Sequence, residues 1–141
     1  MGLTPARWLV DKSALTRLTQ PSVNEALWLP IVRGTVGVGI CTELEMGYSA
    51  RSAADYRETR GKLVDRLVRV PMPLGAEDRA REVQATLVER GQHRATSVPD
   101  LLIAATAEME GLIVLHYAAD FDLVAEITGQ PCEWVVPKGT I

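Results

Sequence analysis

With 141 residues, 47% hydrophobic and 23% charged, the chain has the composition of a globular soluble protein large enough to bury a real core. A net charge of −3 excludes broad, charge-driven coating of DNA. It does not exclude a local basic face, because twelve of the fifteen cations are arginine, the side chain better fitted to phosphate and carboxylate partners.

Every apolar run is interrupted by Pro, Gly or charge well short of a membrane span, so none is expected. Met1 to Arg7 lacks the long apolar region of a secretory signal. Cys41 and Cys132 lie far apart, with neither metal-type nor redox-type spacing. Together these features predict a cytoplasmic protein with reduced core thiols, forming a single domain over 1–141.

Arg7-Trp8-Leu9-Val10 reads as a buried strand that ends abruptly in Asp11. Ser13 is placed to cap a helix beginning just after it, and a second short helix is expected over Val23 to Leu29, broken by Pro21 and Pro30. Thr35 to Ile40 is a strand diluted by glycine. Cys41 to Arg51 reads as a helix capped by Thr42, which puts Glu43 in its first turn. A further helix runs from about Ser52 to Leu67, with Tyr56, Leu63 and Leu67 on one stripe and Arg57, Arg60 and Arg66 outside it. Val68 to Val70 continues as strand until Pro71 and Pro73 stop it. Ala76, Ala80, Val83 and Leu87 recur at helical spacing, so an amphipathic helix is expected from Ala76 to Arg90, ended by Gly91.

After a loop, Pro99 opens an almost wholly apolar helix that carries Asp100 at its mouth and stops at Gly111. A helix apolar nearly all round is a buried one. Leu112 to Leu115 is the clearest strand, Ala119 to Thr128 a helix, and Cys132 to Val136 a last strand. The order β-α-β-α-α-β-α-α-β-α-β predicts a mostly parallel sheet of roughly five strands covered on both faces, a three-layer α/β/α sandwich.

In such a sheet all strand carboxyl ends share one edge, and ligands bind there. Asp11 ends the first strand, Glu43 opens the helix after the second, Asp100 opens the buried helix, and Asp120 and Asp122 follow the fourth strand. Each has an ordinary explanation, since an acid at a helix start caps free N–H groups and suits the macrodipole. Brought together, however, such acids would either take up protons or hold a cation. Oxygen ligands without His or Cys favour Mg²⁺ or Mn²⁺. Ser13 could bind a water or phosphate as readily as cap, His116 could be a core residue or a base, and Lys12, His93 and Arg94 could touch a polyanion. Trp8, Trp28 and Trp134 read as core or interface anchors.

Four segments carry a resemblance to a known family: Leu9-Val-Asp-Lys-Ser-Ala14, Thr42-Glu-Leu-Glu-Met-Gly47, Pro99-Asp-Leu-Leu-Ile-Ala-Ala105 and Val114-Leu-His-Tyr-Ala-Ala-Asp-Phe-Asp122. In this order they resemble PIN domains, in particular the VapC-type toxin ribonucleases of bacterial toxin–antitoxin pairs. The resemblance implies a PIN-like fold and a Mg²⁺- or Mn²⁺-dependent endoribonuclease that acts on RNA, is silenced by a cognate antitoxin and forms a homodimer. Residue by residue, it implies an acid quartet of Asp11, Glu43, Asp100 and Asp120 as metal and catalytic groups. One position departs: Ala118 stands where close relatives usually carry the first acid of a His-x-Asp-x-Asp-Phe run. That departure implies a weakened or deliberately inactivated site, and it keeps open a PIN-like module that binds RNA or protein without cutting. A metal-dependent phosphatase or receiver-like domain would also place Asp at strand ends, but the strand-end Lys or Thr partner it needs has no convincing match here.

Overall fold

The computed structural model describes residues 6–141, so the signal-peptide expectation falls largely on 1–5, outside the described residues. The first strand, β1 (Trp8–Val10), is the middle of a five-stranded, all-parallel sheet that also contains β2 (Val36–Val38), β3 (Val68–Arg69), β4 (Ile113–His116) and β5 (Cys132–Trp134), in the spatial order β3-β2-β1-β4-β5. Register pairs Leu9 with Gly37 on one side and with Val114 on the other.

Alternation along the strands sorts side chains between two cores. Val10 and Leu115 pack with Ala14, Leu15, Val23, Leu27 and Ile31 beneath α1 (Lys12–Leu15) and α2 (Pro21–Val32). Leu9 and Val114 face the other way, onto Ile103, Ala104 and Ala107 of α6 (Val98–Glu110) and Phe121 and Val124 of α7 (Asp120–Thr128). The remaining helices are α3 (Ile40–Tyr48), α4 (Ala53–Lys62) and α5 (Ala76–Glu89), the last packing Ala80, Val83 and Leu87 against Leu101 and Ala105. The fold is the expected α/β/α sandwich.

Several local expectations are corrected. Pro30 does not end its helix: α2 continues to Val32, because Leu27 and Ile31, one turn apart on the same face, are both buried. Pro21, far from breaking the helix, occupies its first turn. The expected Ser52–Leu67 helix stops at Lys62, where Leu63 leaves helical geometry, and a single 3₁₀ turn (Val64–Arg66) follows. Thr42 is no cap: Gly39 opens α3, while Thr42 is fully buried and donates its hydroxyl proton to the carbonyl of Val10 (3.2 Å). That bond ties α3 to the carboxyl end of the central strand, where the candidate site lies.

Candidate active site

Asp11 follows the last residue of β1 and is 5% exposed. It, and not Ser13, caps α1: its carboxylate accepts the backbone N–H of Ser13 at 3.0 Å. The Ser13 hydroxyl instead accepts the backbone N–H of Tyr117 at 2.9 Å, pinning α1 to the segment that leaves β4. Asp100 stands in the first turn of α6 within a complete capping box. Its N–H donates to Ser97 Oγ (3.2 Å) and its carboxylate accepts the Ser97 N–H (3.4 Å). The capping role is therefore met, and the cap leaves lone pairs of the carboxylate unused. Asp120 opens α7, half-buried.

Asp11 and Asp120 both act on Asp100. Burial raises the Asp100 carboxyl to about 6, with Asp11 and Asp120 adding to the rise against the pull of the Ser97 hydrogen bonds. Among the described residues none of the three has a basic group within ion-pairing distance. Neighbouring carboxylates without counter-charge favour a bound cation, and an all-oxygen donor set suits a hard divalent ion. Among the described residues, no three His, Cys, Asp or Glu side chains stand close enough to enclose a metal ion as they are arranged. It is the donor chemistry, and not the spacing, that fits such an ion.

The profile of the PIN domain matches residues 8–127. The chain belongs to the PIN-domain family. Within it, the chain is similar to Ribonuclease VapC51 of Mycobacterium tuberculosis, 42% identical over 135 residues that cover 96% of this chain and 97% of that protein. It is likewise similar to Ribonuclease VapC2 of the same species, 47% identical over 141 residues, covering 93% and 94%. In three dimensions it resembles the DNA-bound VapBC complex from Salmonella typhimurium, with a TM-score of 0.75, 20% identity and coverage of 93% of this chain and 99% of that one. VapBC2 from Rickettsia felis, bound to a promoter DNA fragment, gives 0.71 at 17% identity, with coverage of 90% and 98%. At those identities the structural likeness is one of fold.

In this PIN domain the acids of α3 divide. Glu43 pairs with basic residues: its carboxylate lies 3.0 Å from Arg60 and 3.8 Å from Arg69. Glu45 is half-buried. Burial and the nearby Asp11 charge raise its carboxyl, with Lys12 pulling it the other way. Cys41, one turn before Glu45, has its thiol raised by burial and then by Glu45. The signal for Glu45 was its spacing from Thr42: residues three apart share a helix face, and Thr42 is the residue that touches Val10.

His116 is fully buried between Phe121 and Trp134, with ring centroids 5.0 Å away on either side. Its Nδ1 accepts the N–H of Ala118 (3.1 Å), so the neutral ring carries its proton on Nε2, which is buried without a hydrogen-bond partner among the described residues. Burial lowers its pKa. It is a core histidine that shapes the turn after β4, and Ala118 packs there against the α6–α7 core. Asp122 is an exposed acceptor for the indole N–H of Trp134 (3.0 Å).

Proposed function

We propose that this chain is an endoribonuclease dependent on Mg²⁺ or Mn²⁺, working in the cytoplasm and restrained by a cognate antitoxin. The observation that carries the reading is that Asp11 and Asp120 stand near enough to Asp100 to raise its carboxyl, the three coming from separate elements and having no ion-pair partner among the described residues. These three would hold the cation, with Glu45 beside Asp11. Glu43 would join only if it parted from Arg60. The chemistry such a divalent ion would supply, when bound by these residues, is activation of a water and stabilisation of charge on the phosphate. The chain's own part is to fix the donors. The Ser13 N–H orients Asp11, the Ser97 cap orients Asp100, and the Ser13–Tyr117 bond holds the turn that leads to Asp120. The relatives' names, which call them ribonucleases, and the VapBC complexes support substrate class and partner.

The test is cleavage of single-stranded RNA with Mg²⁺ or Mn²⁺. Asp11→Asn is expected to keep the far-UV circular dichroism spectrum and to lose cleavage by a factor of at least about 10³. Cleavage at the unsubstituted rate would remove Asp11 from the site. A second reading, a PIN-like module that binds RNA or protein without cutting, is favoured by Ala118, which packs against the α6–α7 core at the position where the family resemblance implies an acid. Ala118→Asp separates the two, since a rise in rate marks a weakened nuclease. For partners, we propose an amphipathic antitoxin helix on the exposed apolar residues Trp28, Leu29, Leu44, Tyr48 and Tyr56. A homodimer would form through the open cleft of about 420 Å³ lined by Met72, Ala80, Val98, Leu101 and Leu102.

A further inference from the structure

We infer that Arg69 is a positioning residue that holds an RNA phosphate to one side of the carboxylates, so that the strand crosses the sheet edge in the order β3, β2, β1. The inference rests on the ribonuclease reading and adds a binding direction to it. All five strands are parallel, so their carboxyl ends lie along one edge. β3 ends in Arg69, the one exposed cation among the five strand-final residues; His116, which ends β4, is buried with its charged form disfavoured. An edge crowded with carboxylates repels a polyanion unless a fixed positive charge offsets it.

Glu43 sets where that charge stands. Its carboxylate, 11% exposed, lies between Arg60 and Arg69. Arg60 is committed: it is 23% exposed, bonds Glu43 at 3.0 Å and lies 3.5 Å from Asp65. Arg69 is 71% exposed, and its Nε is 3.8 Å from Glu43, beyond hydrogen-bond length. Glu43 therefore steers the base of the guanidinium and leaves the terminal nitrogens, the fork that matches a phosphate, to whatever enters. What it would enter is an open groove of about 330 Å³ lined by Ile40, Glu43, Arg69, Val70 and Pro71. Exposed Ile40 and Pro71 give that groove an apolar wall suited to a sugar or base rather than to a second carboxylate. β3 is two strand spacings from β1, about 10 Å, so the phosphate held would be a near neighbour of the one cut.

The experiment measures binding of a labelled single-stranded RNA oligomer to Asp11→Asn protein over a range of salt, with and without Arg69→Ala. Loss of the Arg69 contact is expected to weaken binding about tenfold at low salt. It should also reduce the slope of log K against log salt by about 0.7, the contribution of one phosphate on a single strand. Arg69→Lys should recover part of the affinity. In the cleaving protein, Arg69→Ala should raise KM and leave kcat unchanged. Arg33→Ala, on an exposed residue that leads into the opposite end of β2, is the control and should change neither affinity nor slope. Equal affinity and slope with and without Arg69 overturn the inference, and so does an equal loss in the Arg33 variant. If the unsubstituted protein cuts RNA while Arg69→Ala keeps its KM, this inference alone falls. If the unsubstituted protein neither binds nor cuts RNA, the ribonuclease reading falls and takes the inference with it.

Discussion

At Asp100 the helix start and the carboxylate cluster act against each other. The capping box wants an ionised carboxylate at that position, while burial beside Asp11 and Asp120 disfavours it and lifts the group to about 6. A carboxyl whose folded pKa is raised adds stability that is full below its unfolded value, near 3.8, and is lost as pH rises through about 6. At neutral pH the ionised Asp100 therefore costs stability, on the order of 1–2 kcal/mol once screening of a half-buried group is allowed for. Asp100→Asn keeps an acceptor for the Ser97 N–H and removes the charge. It should raise Tm by several degrees at pH 7 and by almost nothing at pH 4, as read by calorimetry across that range; an equal effect at both pH values would contradict the argument. His116 has the opposite sign. Its folded pKa is lowered, so its stability is present above about 6.5 and lost as pH falls below that value. The two effects partly cancel in the unsubstituted chain, and the Asp100→Asn profile should expose the histidine's acid loss.

The elements explain why the site edge is rigid. β2 reaches its neighbours only because position 37 is glycine. A Cβ there would come within 2.7 Å of Val70 Cγ2 and 3.2 Å of the Trp8 carbonyl. Gly37→Ala should therefore cost about 1–3 kcal/mol through overpacking, seen as a lower urea midpoint with unchanged slope. Gly37, one of the glycines that weakened Thr35 to Ile40 as a strand in the sequence, is thus what lets β2 lie between β1 and β3. Helix α6 makes a comparable use of small residues. Ala104 and Ala107 pack onto the sheet face while Ala105 meets α5, so one helix serves two cores and carries Asp100 at a fixed height above the edge. Thr42 does the same for α3, and its bond to Val10 holds Glu45, three residues on along the same helix face, beside Asp11.

Across the whole molecule, charge is sorted by place rather than by amount. A net charge of −3 is spread over a surface on which many acids pair with arginines, as in Arg79–Glu108 (2.6 Å) and Arg81–Asp78 (2.6 Å). The acids near Asp11 lack such partners among the described residues. A divalent cation bound only by the folded chain must then stabilise it by mass action, about 2.7 kcal/mol at one hundred times its Kd. Adding Mg²⁺ or Mn²⁺ at constant ionic strength should raise Tm, and Asp11→Asn should remove most of the rise. An equal rise in both proteins would place the ion elsewhere. No helix among the described residues is long and apolar enough to cross a membrane.

The sequence alone determined the layer architecture and the address of the acids. Short apolar strands alternating with helices can hide both faces of a sheet in only a few ways, and parallel strands must put their carboxyl ends on one edge. Asp11, Asp100 and Asp120 were legible because each stands at an element junction beside apolar residues. Only the tertiary structure decided the rest, for a reason of distance. Whether Pro30 ends a helix depends on the burial of Leu27 and Ile31, and whether Ser13 caps depends on Tyr117, more than a hundred positions away. Whether Glu43 or Glu45 faces Asp11 depends on Arg60, Arg69 and the Thr42 bond. Those partners are remote in the chain, and no local pattern of residues encodes which of two neighbouring glutamates a distant arginine will take.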